Sequence, residues 1–434
     1  MKILLLTNLY PPLHAGTFDV RCQTVTNALR ARGHQIRVLT SSHGLLREQR
    51  DDEIERRLLL NGVFEHPAVT GFSEMQELET HNHRALREAI SGFEPELIYI
   101  WSLHGLSKSL LTAIDRSRIP CAFDLSDHWL AHGLRLDPWL RWWNTTAVSM
   151  QHKLMRGGLE LSERRKRLDA ETPTRLRSSA DRLPAIFDEP AAPDSITDFH
   201  FQRVYFCSEA LKRTTVNAGF RLSHAEVIRP GIPVENFLSE AKTGQPKPLK
   251  FLVACMLNQD SGVMTALDAL RIARERGVNC RLSVHGRGDS DYIAQLRSAV
   301  VRFQLPVEFQ TANDASRELK LTFRAHDVFI HTSTWDEPYI TTPLEAMAAG
   351  LPVIASSAGG AGELFLHGQN ALVFTPGDAM ELAGGMELLA NQPDQRMLLA
   401  DGGQEMVTLK LTQDAMLDRI EHFLRDTIEL WQVG

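Results

Sequence analysis

The sequence predicts an α/β protein built on two doubly wound parallel sheets, and three observations lead to this prediction. Residues 3–7 are an apolar run, residues 20–32 have a helical pattern, and residues 35–40 are a second apolar run. This order is a βαβ unit, the usual start of a parallel sheet. A second series of the same kind begins at residues 249–255. With 434 residues, the chain is also too long for one ordinary core, so we expect two domains.

The first half continues the alternation of strands and helices. Strands are predicted at residues 96–101, 120–125 and 203–208, with helices near 106–117 and from Glu209. Ligands of open α/β sheets bind beyond the carboxyl ends of the strands. Ser126 and Asp127 follow the strand at 120–125, and they are therefore candidate site residues.

The second half repeats this pattern after a stretch rich in Pro, Gly and Lys at 243–248, which looks like an interdomain linker. A helix is predicted from Val263, strands are predicted at 281–284 and 327–331, and an amphipathic helix is predicted at 413–431. We find no internal repeat and no long low-complexity tract.

Residues 137–198 interrupt the α/β alternation. They hold a cluster of tryptophans, a basic run at 164–167 and a tail rich in Pro and Asp. One interpretation is an element that contacts a membrane surface or binds a substrate, because Trp and basic residues suit anionic headgroups. The other is a helical insertion with a solvated charged face, which is what charge runs usually form.

Bulk composition limits the function classes. A net charge of −7 argues against a general nucleic-acid binder. The longest apolar runs fall short of the roughly 20 residues that span a bilayer, and the N-terminus does not resemble a signal peptide. The five cysteines are scattered without CxxC spacing, so reduced thiols in a cytoplasmic protein are expected. Peripheral contact with the inner face of the membrane is left open by residues 137–198.

The stretch from residue 337 to 362 is the most informative motif of the chain. It places Glu337 and Glu345 on either side of a predicted helix start that Thr341 and Thr342 can cap. A strand is predicted at 353–355, followed by a glycine-rich turn that lets backbone approach a ligand closely. A helix N-terminus flanked by two acids suits a ligand with phosphate and hydroxyl groups. The alternative is a solvated helix start with Glu345 on its surface.

This stretch, EPYITTPLEAMAAGLPVIASSAGGAG followed by Glu363, resembles the retaining glycosyltransferases of family 4. The resemblance implies the GT-B fold, with two Rossmann-like domains that face a cleft and a C-terminal helix that returns to the N-terminal domain. We therefore predict an acceptor-side domain at 1–238, with an insertion at about 137–198. A nucleotide-sugar-binding domain is predicted at 246–415, and a crossover helix at 416–434 is predicted to pack on the first domain.

The resemblance also implies residue roles. Glu345 would bind the donor ribose and Glu337 the sugar hydroxyls, and Asp127 and Ser126 would line the sugar pocket. Further donor-binding positions are the backbone at Ile340, Thr341 and Thr342, Gly16 in a loop similar to the family's opening loop, and the positions of Met256 and Ser261. The family needs neither a metal ion nor a protein nucleophile, and no cofactor is expected because the nucleotide-sugar is a substrate.

Three positions depart from the family pattern. Ser126 stands where the family commonly has a histidine, with His128 two residues further on. Met256 and Ser261 stand where the pattern GRLxxxKG has arginine and lysine, which neutralise the leaving diphosphate. Losing one preorganised donor of this kind typically costs about 2.7–4 kcal/mol of transition-state stabilisation. Candidate replacements are the basic residues Arg229, Arg287 and Lys212, together with the N–H groups at the helix start at 341–345.

The sequence therefore predicts a retaining hexosyltransferase that moves a hexose from a nucleotide-sugar to an acceptor hydroxyl in glycan or glycoconjugate biosynthesis. The acceptor is a sugar, a lipid-linked glycan or a small metabolite, and the residues do not select among them. Two alternatives stay open because of Met256, Ser261 and Ser126. One is an impaired GT-B protein that binds a sugar nucleotide or partners an active transferase, and the other is a pseudo-glycosyltransferase that couples an unusual activated sugar.

Overall fold

The computed structural model describes residues 1–13, 16–45, 53–69, 71–130, 150, 153–154, 201, 203–222, 224–240, 248–310 and 316–433. The chain divides into two compact units. The first comprises Met1–Phe206, Lys212–Val227 and Arg419–Gly434, and the second comprises Cys207–Leu211 and Ile228–Asp418. Each unit is built around its own parallel sheet, which confirms the predicted α/β class. Most of the segment at 137–198 and the core of the predicted linker, 241–247, lie outside the described residues.

The first unit has a seven-stranded parallel sheet in the order β3-β2-β1-β4-β5-β6-β7. Its strands are β1 (Lys2–Leu6), β2 (Gln35–Ser41), β3 (Ile54–Leu58), β4 (Leu97–Ile100), β5 (Cys121–Leu125), β6 (Arg203–Phe206) and β7 (Ala225–Val227). The helices in this part of the chain are α1 (Thr17–Ala31), α2 (Phe72–Phe93), α3 (Leu110–Arg116) and α4 (Glu209–Asn217).

The second unit has a six-stranded parallel sheet in the order β10-β9-β8-β11-β12-β13. Its strands are β8 (Leu249–Ala254), β9 (Cys280–His285), β10 (Val307–Gln310), β11 (Val328–His331), β12 (Val353–Ser356) and β13 (Leu372–Phe374). The accompanying helices are α5 (Val263–Glu275), α6 (Ser290–Arg302), α7 (Ser316–Ala325), α8 (Thr342–Ala348), α9 (Ala379–Asn391), α10 (Pro393–Lys410) and α11 (Gln413–Val433).

The core of the second unit lies on both faces of its sheet. Phe251 and Val253 of β8 pack into one buried cluster together with apolar residues of α5, α6 and α9. Leu252, between them, packs into a second cluster that contains the apolar residues of α8. Because successive side chains of a strand point to opposite faces, this alternation gives a helix–sheet–helix sandwich.

The last helix changes unit along its length, since α11 belongs to the first unit from Arg419 onward. Glu421 accepts hydrogen bonds from Arg32 Nη1 at 2.8 Å and from His34 Nε2 at 2.9 Å. Phe423 meets the Tyr205 ring edge-on, with ring centroids 5.2 Å apart. The end of the chain is therefore held on the first sheet by polar and aromatic contacts.

Strand order fixes where a ligand can bind in each unit. In both sheets the order reverses beside the first strand, between β1 and β4 in one and between β8 and β11 in the other. At such a point, the loops after two neighbouring strands run in opposite directions. Their separation opens a crevice at the carboxyl ends of the strands. The loops after β1, β4, β8 and β11 are therefore the expected site loops.

Among the described residues, no helix is long and apolar enough to cross a membrane.

Candidate functional site

Glu337 lies in the loop after β11, at the switch point of the second sheet. Burial raises the pKa of its carboxyl to about 7, and a hydrogen bond from Ser333 opposes that rise. His331 is the last residue of β11, and its Nε2 lies 3.7 Å from Glu337 Oε2. Burial lowers the pKa of His331 to about 4, so the imidazole is neutral at neutral pH. It therefore supplies no positive charge to the site.

The loop after β8 reaches the same place. Burial raises the pKa of the Cys255 thiol to about 12, with the Glu337 carboxylate adding to the rise and a hydrogen bond with Ser261 opposing it. Because the Glu337 charge and a Ser261 hydrogen bond both act on the Cys255 thiol, these three residues lie close together. The structure thus brings two of the predicted site residues into one crevice and adds Cys255, whose thiol stays protonated.

Glu345 lies in the short helix α8 and is half-buried. Burial raises the pKa of its carboxyl to about 7. Within the described residues, no hydrogen bond reaches this carboxylate, and the backbone N–H groups of Ile340, Thr341 and Thr342 donate to no acceptor. The first N–H groups of a helix have no partner inside it, so this segment presents donors next to an acid.

The predicted cap of this helix is wrong in its chemistry. Thr341 occupies the N-cap position, but its side chain makes no capping hydrogen bond. Thr342 is already the first helical residue, and Pro343 follows it. Because proline lacks an N–H and presets a helical φ, it starts the helix in place of a threonine cap.

The glycine-rich turn after β12 supports the Glu337 loop. A Cβ atom at Gly359 would lie 2.7 Å from the Asp336 backbone and 2.8 Å from the Glu337 nitrogen. Gly359 also has a φ of +55°, a conformation that side chains rarely adopt. The sequence predicted that this turn approaches a ligand closely. At Gly359 the turn instead approaches the backbone of Asp336 and Glu337, which fixes Glu337 in place.

Ser261 is tied to its own loop. Its hydroxyl donates to the Asn258 carbonyl at 2.6 Å, while its backbone N–H donates to the Asn258 side chain at 3.0 Å. Met256, five residues earlier, is 55% exposed. Neither side chain carries the positive charge that the family pattern has at these positions.

The basic residues named as replacements differ in their surroundings. Arg229 Nη1 lies 3.0 Å from Glu363 Oε2, and Glu363 also accepts hydrogen bonds from the backbone of Glu209 and Ala210. Lys212 Nζ donates to the Ala225 carbonyl at 3.0 Å. Arg287 follows β9 at the carboxyl edge of the sheet and is exposed. Of the three, Arg287 is the one that the sheet places beside the β8 loop.

In the first unit, Gly16 immediately precedes α1, in the loop that follows β1. Its φ is −178°, which is extended backbone open to any residue. A Cβ atom built there would meet no described protein atom within 4 Å. Gly16 is therefore not required by the fold, and open space lies above its backbone.

Gly16 allows a direct test of the phosphate role. We expect Gly16→Ala to cost less than about 1 kcal/mol of stability, as a loss of a favourable N-cap residue. If this backbone faces the donor phosphates, the added methyl group should weaken nucleotide-sugar binding by about tenfold, or ~1.4 kcal/mol. Calorimetric titration measures the donor affinity of Gly16→Ala and of the control Gly92→Ala, which lies at an exposed position of α2. Equal donor affinities of Gly16→Ala and Gly92→Ala would remove Gly16 from the site.

Asp127 follows β5 and is held by its own loop. Its Oδ1 accepts a hydrogen bond from the Trp129 backbone at 2.8 Å, and Ser102 after β4 donates to Oδ2 at 3.5 Å. Burial raises the pKa of Asp127 to about 7, with the neighbouring Asp124 charge adding to the rise and buried Lys108 opposing it. Asp127 is thus a carboxyl group that titrates near neutral pH at the tip of the sheet.

Ser126 points away from this tip. It is 1% exposed, and its side chain hydrogen-bonds to Asp124. Its hydroxyl is therefore part of the interior, and the residue as a whole is closed to solvent. His128, the other candidate for the missing histidine, is half-buried.

Asp124 is the centre of a buried polar network that the sequence did not reveal. Arg21 Nη2 lies 2.7 Å from Asp124 Oδ2, and the Tyr205 hydroxyl donates to the same carboxylate. Arg21 also stacks over Trp101 at 4.3 Å from the ring centroid, and Tyr99 hydrogen-bonds to Tyr205 at 2.5 Å. This network ties α1 to β4, β5 and β6 beneath the Asp127 tip.

Within the ranges that the structure describes, no group of three or more His, Cys, Asp or Glu side chains could hold a metal ion. The expectation that the reaction uses no metal or cofactor stays a prediction.

The residues missed by the sequence share one feature. Ser102 follows β4, Cys255 follows β8, and His331 and Ser333 lie at the end of β11 and just beyond it. Each stands at the carboxyl end of a strand that borders the switch point. Listing the polar residues after every predicted strand would have found them, since parallel strands end at one edge.

Comparison with solved structures identifies the fold class. The structure of Anabaena HepE in complex with UDP-glucose superposes with a TM-score of 0.65 at 19% identity, over 98% of this chain and 100% of that chain. Sucrose-phosphate synthase from Thermosynechococcus elongatus gives a TM-score of 0.65 at 16% identity, over 100% and 99% of the two chains. The fold is therefore GT-B, as predicted.

Sequence comparison also points to glycosyltransferases, and the family model matches within the second unit. Residues 236–406 match the family model of glycosyl transferases group 1, which confirms a resemblance to that group in this part of the chain. The amylovoran biosynthesis glycosyltransferase AmsK of Erwinia amylovora is 29% identical over 163 residues, 36% of this chain and 40% of that protein. Glycogen synthase of Mycobacterium tuberculosis is 29% identical over 189 residues, 43% of this chain and 45% of that protein. The chain thus spans less than half of the length of these relatives.

Proposed function

We propose that the protein is a retaining glycosyltransferase that transfers a hexose from a nucleotide-sugar donor to an acceptor hydroxyl in glycan biosynthesis. One observation supports this most strongly. Two carboxyl groups with raised pKa values, Glu337 and Glu345, flank backbone N–H groups at the switch point of the second sheet, and these groups donate to no acceptor among the described residues. Carboxylates accept hydrogen bonds from hydroxyl groups, and N–H groups at a helix start suit phosphate oxygens.

In the proposed complex, Glu345 accepts hydrogen bonds from the ribose and Glu337 from the transferred sugar. Backbone N–H groups at residues 340–342 hold sugar and phosphate oxygens. For the first unit we assign Gly16, which has open space above its backbone, to phosphate binding. For the first unit we also assign Asp127, at the carboxyl end of β5, to sugar binding. The acceptor hydroxyl attacks the face from which the leaving group departs, and a diphosphate oxygen takes its proton. The relatives' names support a role in polysaccharide assembly.

Stereochemistry tests this proposal. A retaining enzyme incubated with its nucleotide-sugar and no acceptor should slowly release sugar in the same anomeric form that the donor had. Early-time proton NMR of the anomeric signal measures this before the free sugar mutarotates. Release of the opposite anomer first would contradict the retaining assignment.

A specific observation also favours the second candidate, a GT-B protein that binds a sugar nucleotide without transferring the sugar. Met256 and Ser261 are uncharged, His331 is neutral, and Arg229 is paired with Glu363. A binder of this kind would take up the donor but release no sugar in the same NMR experiment. A pseudo-glycosyltransferase would bind nucleotide-sugars but would transfer only to an unusual acceptor.

Donor binding should depend on pH because both acids titrate near 7. Ionised carboxylates accept hydrogen bonds better than neutral ones, so nucleotide-sugar affinity should rise between pH 6 and 8. The expected gain is up to about tenfold per carboxylate that must ionise. Calorimetry at pH 6, 7 and 8 measures the trend, with a nucleotide-sugar as titrant because its diphosphate does not itself titrate in this range.

The free protein should show the opposite trend. Folded pKa values of Glu337 and Glu345 are raised above the ordinary 4.5, so the protonated acid is favoured in the folded state. Their contribution to stability is present below pH 4.5 and is lost as pH rises through about 7. Glu337→Gln/Glu345→Gln should flatten both pH dependences. If donor affinity keeps its pH dependence in this variant, other groups control it.

A further inference from the structure

A leaving diphosphate needs a cation, and the two expected positions do not supply one. Met256 is exposed but uncharged, and the Ser261 hydroxyl is already engaged by the Asn258 carbonyl. In a transfer of the proposed kind, negative charge grows on the diphosphate as the sugar departs. Preorganised positive charge at that point lowers the barrier itself. A transferase of the proposed kind therefore needs a cation from another position.

The loops after β8 and β9 pair with each other, and this pairing shows where such a cation lies. Beyond the ends of β8 and β9, the Leu257 N–H donates to the Arg287 carbonyl at 3.0 Å, and the Asp289 N–H donates to the Leu257 carbonyl at 2.8 Å. Leu257 and Gly288 form a parallel bridge. This continues the register of β8 and β9, in which Ala254 is opposite His285. Counting two residues on places Met256 opposite Arg287.

Paired residues of neighbouring strands project to the same face of a sheet. Burial agrees with this, since Leu257 is 2% exposed whereas Met256 and Arg287 are both exposed. Neighbouring strands are about 4.8 Å apart, which is less than the length of an arginine side chain. A guanidinium on Arg287 can therefore reach the space that an arginine at position 256 would fill.

Glycines hold the two loops this close. A Cβ at Gly286 would lie 2.2 Å from the Cys255 carbonyl oxygen, and one at Gly288 would lie 2.1 Å from the Leu257 carbonyl oxygen. A side chain at either position would push the loops apart. Arg287, between the two glycines, is thereby fixed next to the β8 loop.

We infer that Arg287 binds the diphosphate of the nucleotide-sugar and supplies the positive charge that Met256 does not. This inference rests on the proposed function. It assigns the leaving-group cation to the loop after β9 instead of the loop after β8. The ligand class is a nucleoside diphosphate or its sugar ester, and the affinity should depend on the second phosphate.

The test compares free nucleotides by calorimetry, with UDP, GDP, ADP and dTDP and the corresponding monophosphates as titrants. For the diphosphate that the wild type binds, Arg287→Met should weaken binding by about 10- to 100-fold, the effect of one lost charge-assisted hydrogen bond. The monophosphate should lose less than about threefold, because the missing contact is with the second phosphate. The double variant Met256→Arg/Arg287→Met should regain at least about tenfold, because the charge returns to the opposite strand.

Arg281→Met is the matched control, since Arg281 is an exposed arginine at the other end of β9. It should bind both nucleotides like the wild type. The inference is overturned if Arg287→Met binds the diphosphate as Arg281→Met does, or if Met256→Arg fails to restore it. A wild type that binds diphosphates but releases no sugar from any nucleotide-sugar would overturn the proposed function and leave this binding role standing. A wild type that binds none of these nucleotides would overturn both.

Discussion

Glu345→Ala is expected to remove most of the affinity for the nucleotide-sugar donor. The Glu345 carboxylate has no hydrogen-bond partner within the described residues, and burial holds its pKa near 7. Each lost hydrogen bond to a charged acceptor costs about 1.5–3 kcal/mol, so binding should weaken by about 10- to 100-fold or more. The variant should be as stable as the wild type or more stable above pH 7, because it removes a carboxylate whose ionisation is costly when buried. Calorimetric titration and thermal unfolding of the same preparation measure both effects.

Glu405→Ala is the matched control for this experiment, because Glu405 is an exposed acid on α10 of the same unit. It should leave donor affinity unchanged. If Glu345→Ala binds the donor as tightly as Glu405→Ala does, Glu345 has no role in the site. The assignment of Glu337, which rests on the same motif, would then also lose its support.

Asp124→Ala should destabilise the first unit strongly. It removes the carboxylate that pairs with buried Arg21 and leaves a guanidinium without its ion-pair partner in the interior. Breaking a buried ion pair from one side typically costs about 3–5 kcal/mol. For a unit of this size the midpoint of thermal unfolding should fall by roughly 6–20 °C, which differential scanning calorimetry measures.

Two comparisons separate this effect from ordinary charge loss. Glu226→Ala breaks the more exposed pair with Arg203 and should cost only about 0–1 kcal/mol. The double variant Arg21→Met/Asp124→Leu removes both buried charges and should recover most of the stability lost in Asp124→Ala. A midpoint of Asp124→Ala equal to that of Glu226→Ala would show that the buried network does not stabilise the unit.

The sequence predicted elements best where hydrophobic periodicity is strong. The strands at 3–7 and 353–355 and the helix at 413–431 agree with β1, β12 and α11 to within two residues at each end. The polar elements β3 and α2 were missed. β3 has the sequence IERRL, and its Arg56 is buried because it donates to the backbone carbonyls of Tyr10 and Pro11. Such a strand depends on tertiary partners that its own pattern does not reveal.

The same limit applies to the site. The motif around Glu337 and Glu345 was recognised because its spacing lies within one stretch of chain. In contrast, Arg229 was a candidate cation in the sequence, and its pairing with Glu363, 134 residues away, became visible only in the structure. Local geometry also overrode propensity at Thr341, which is an N-cap without a capping bond, and Pro343, the second helical residue, has no N–H to donate to it. The sequence could not predict which residues distant in the chain form pairs, or the local backbone geometry at the helix start.

The loss of two expected basic residues was likewise visible in the sequence, but its consequence was not. Met256 and Ser261 suggested an impaired site. The register of the β8 and β9 loops instead places Arg287 opposite Met256. If Arg287 binds the diphosphate as we infer, the positive charge is kept on the neighbouring strand while the motif changes.

The most direct measurement is a calorimetric screen of the purified protein against UDP-, GDP-, ADP- and dTDP-sugars, with the free nucleotides beside them. The account predicts that one nucleotide class binds selectively, and that its sugar ester stabilises the protein in a thermal-shift assay as binding linkage requires. Absence of binding by all of these compounds at millimolar concentration would contradict the account. It would mean that the crevice at Glu337 and Glu345 is not a nucleotide-sugar site.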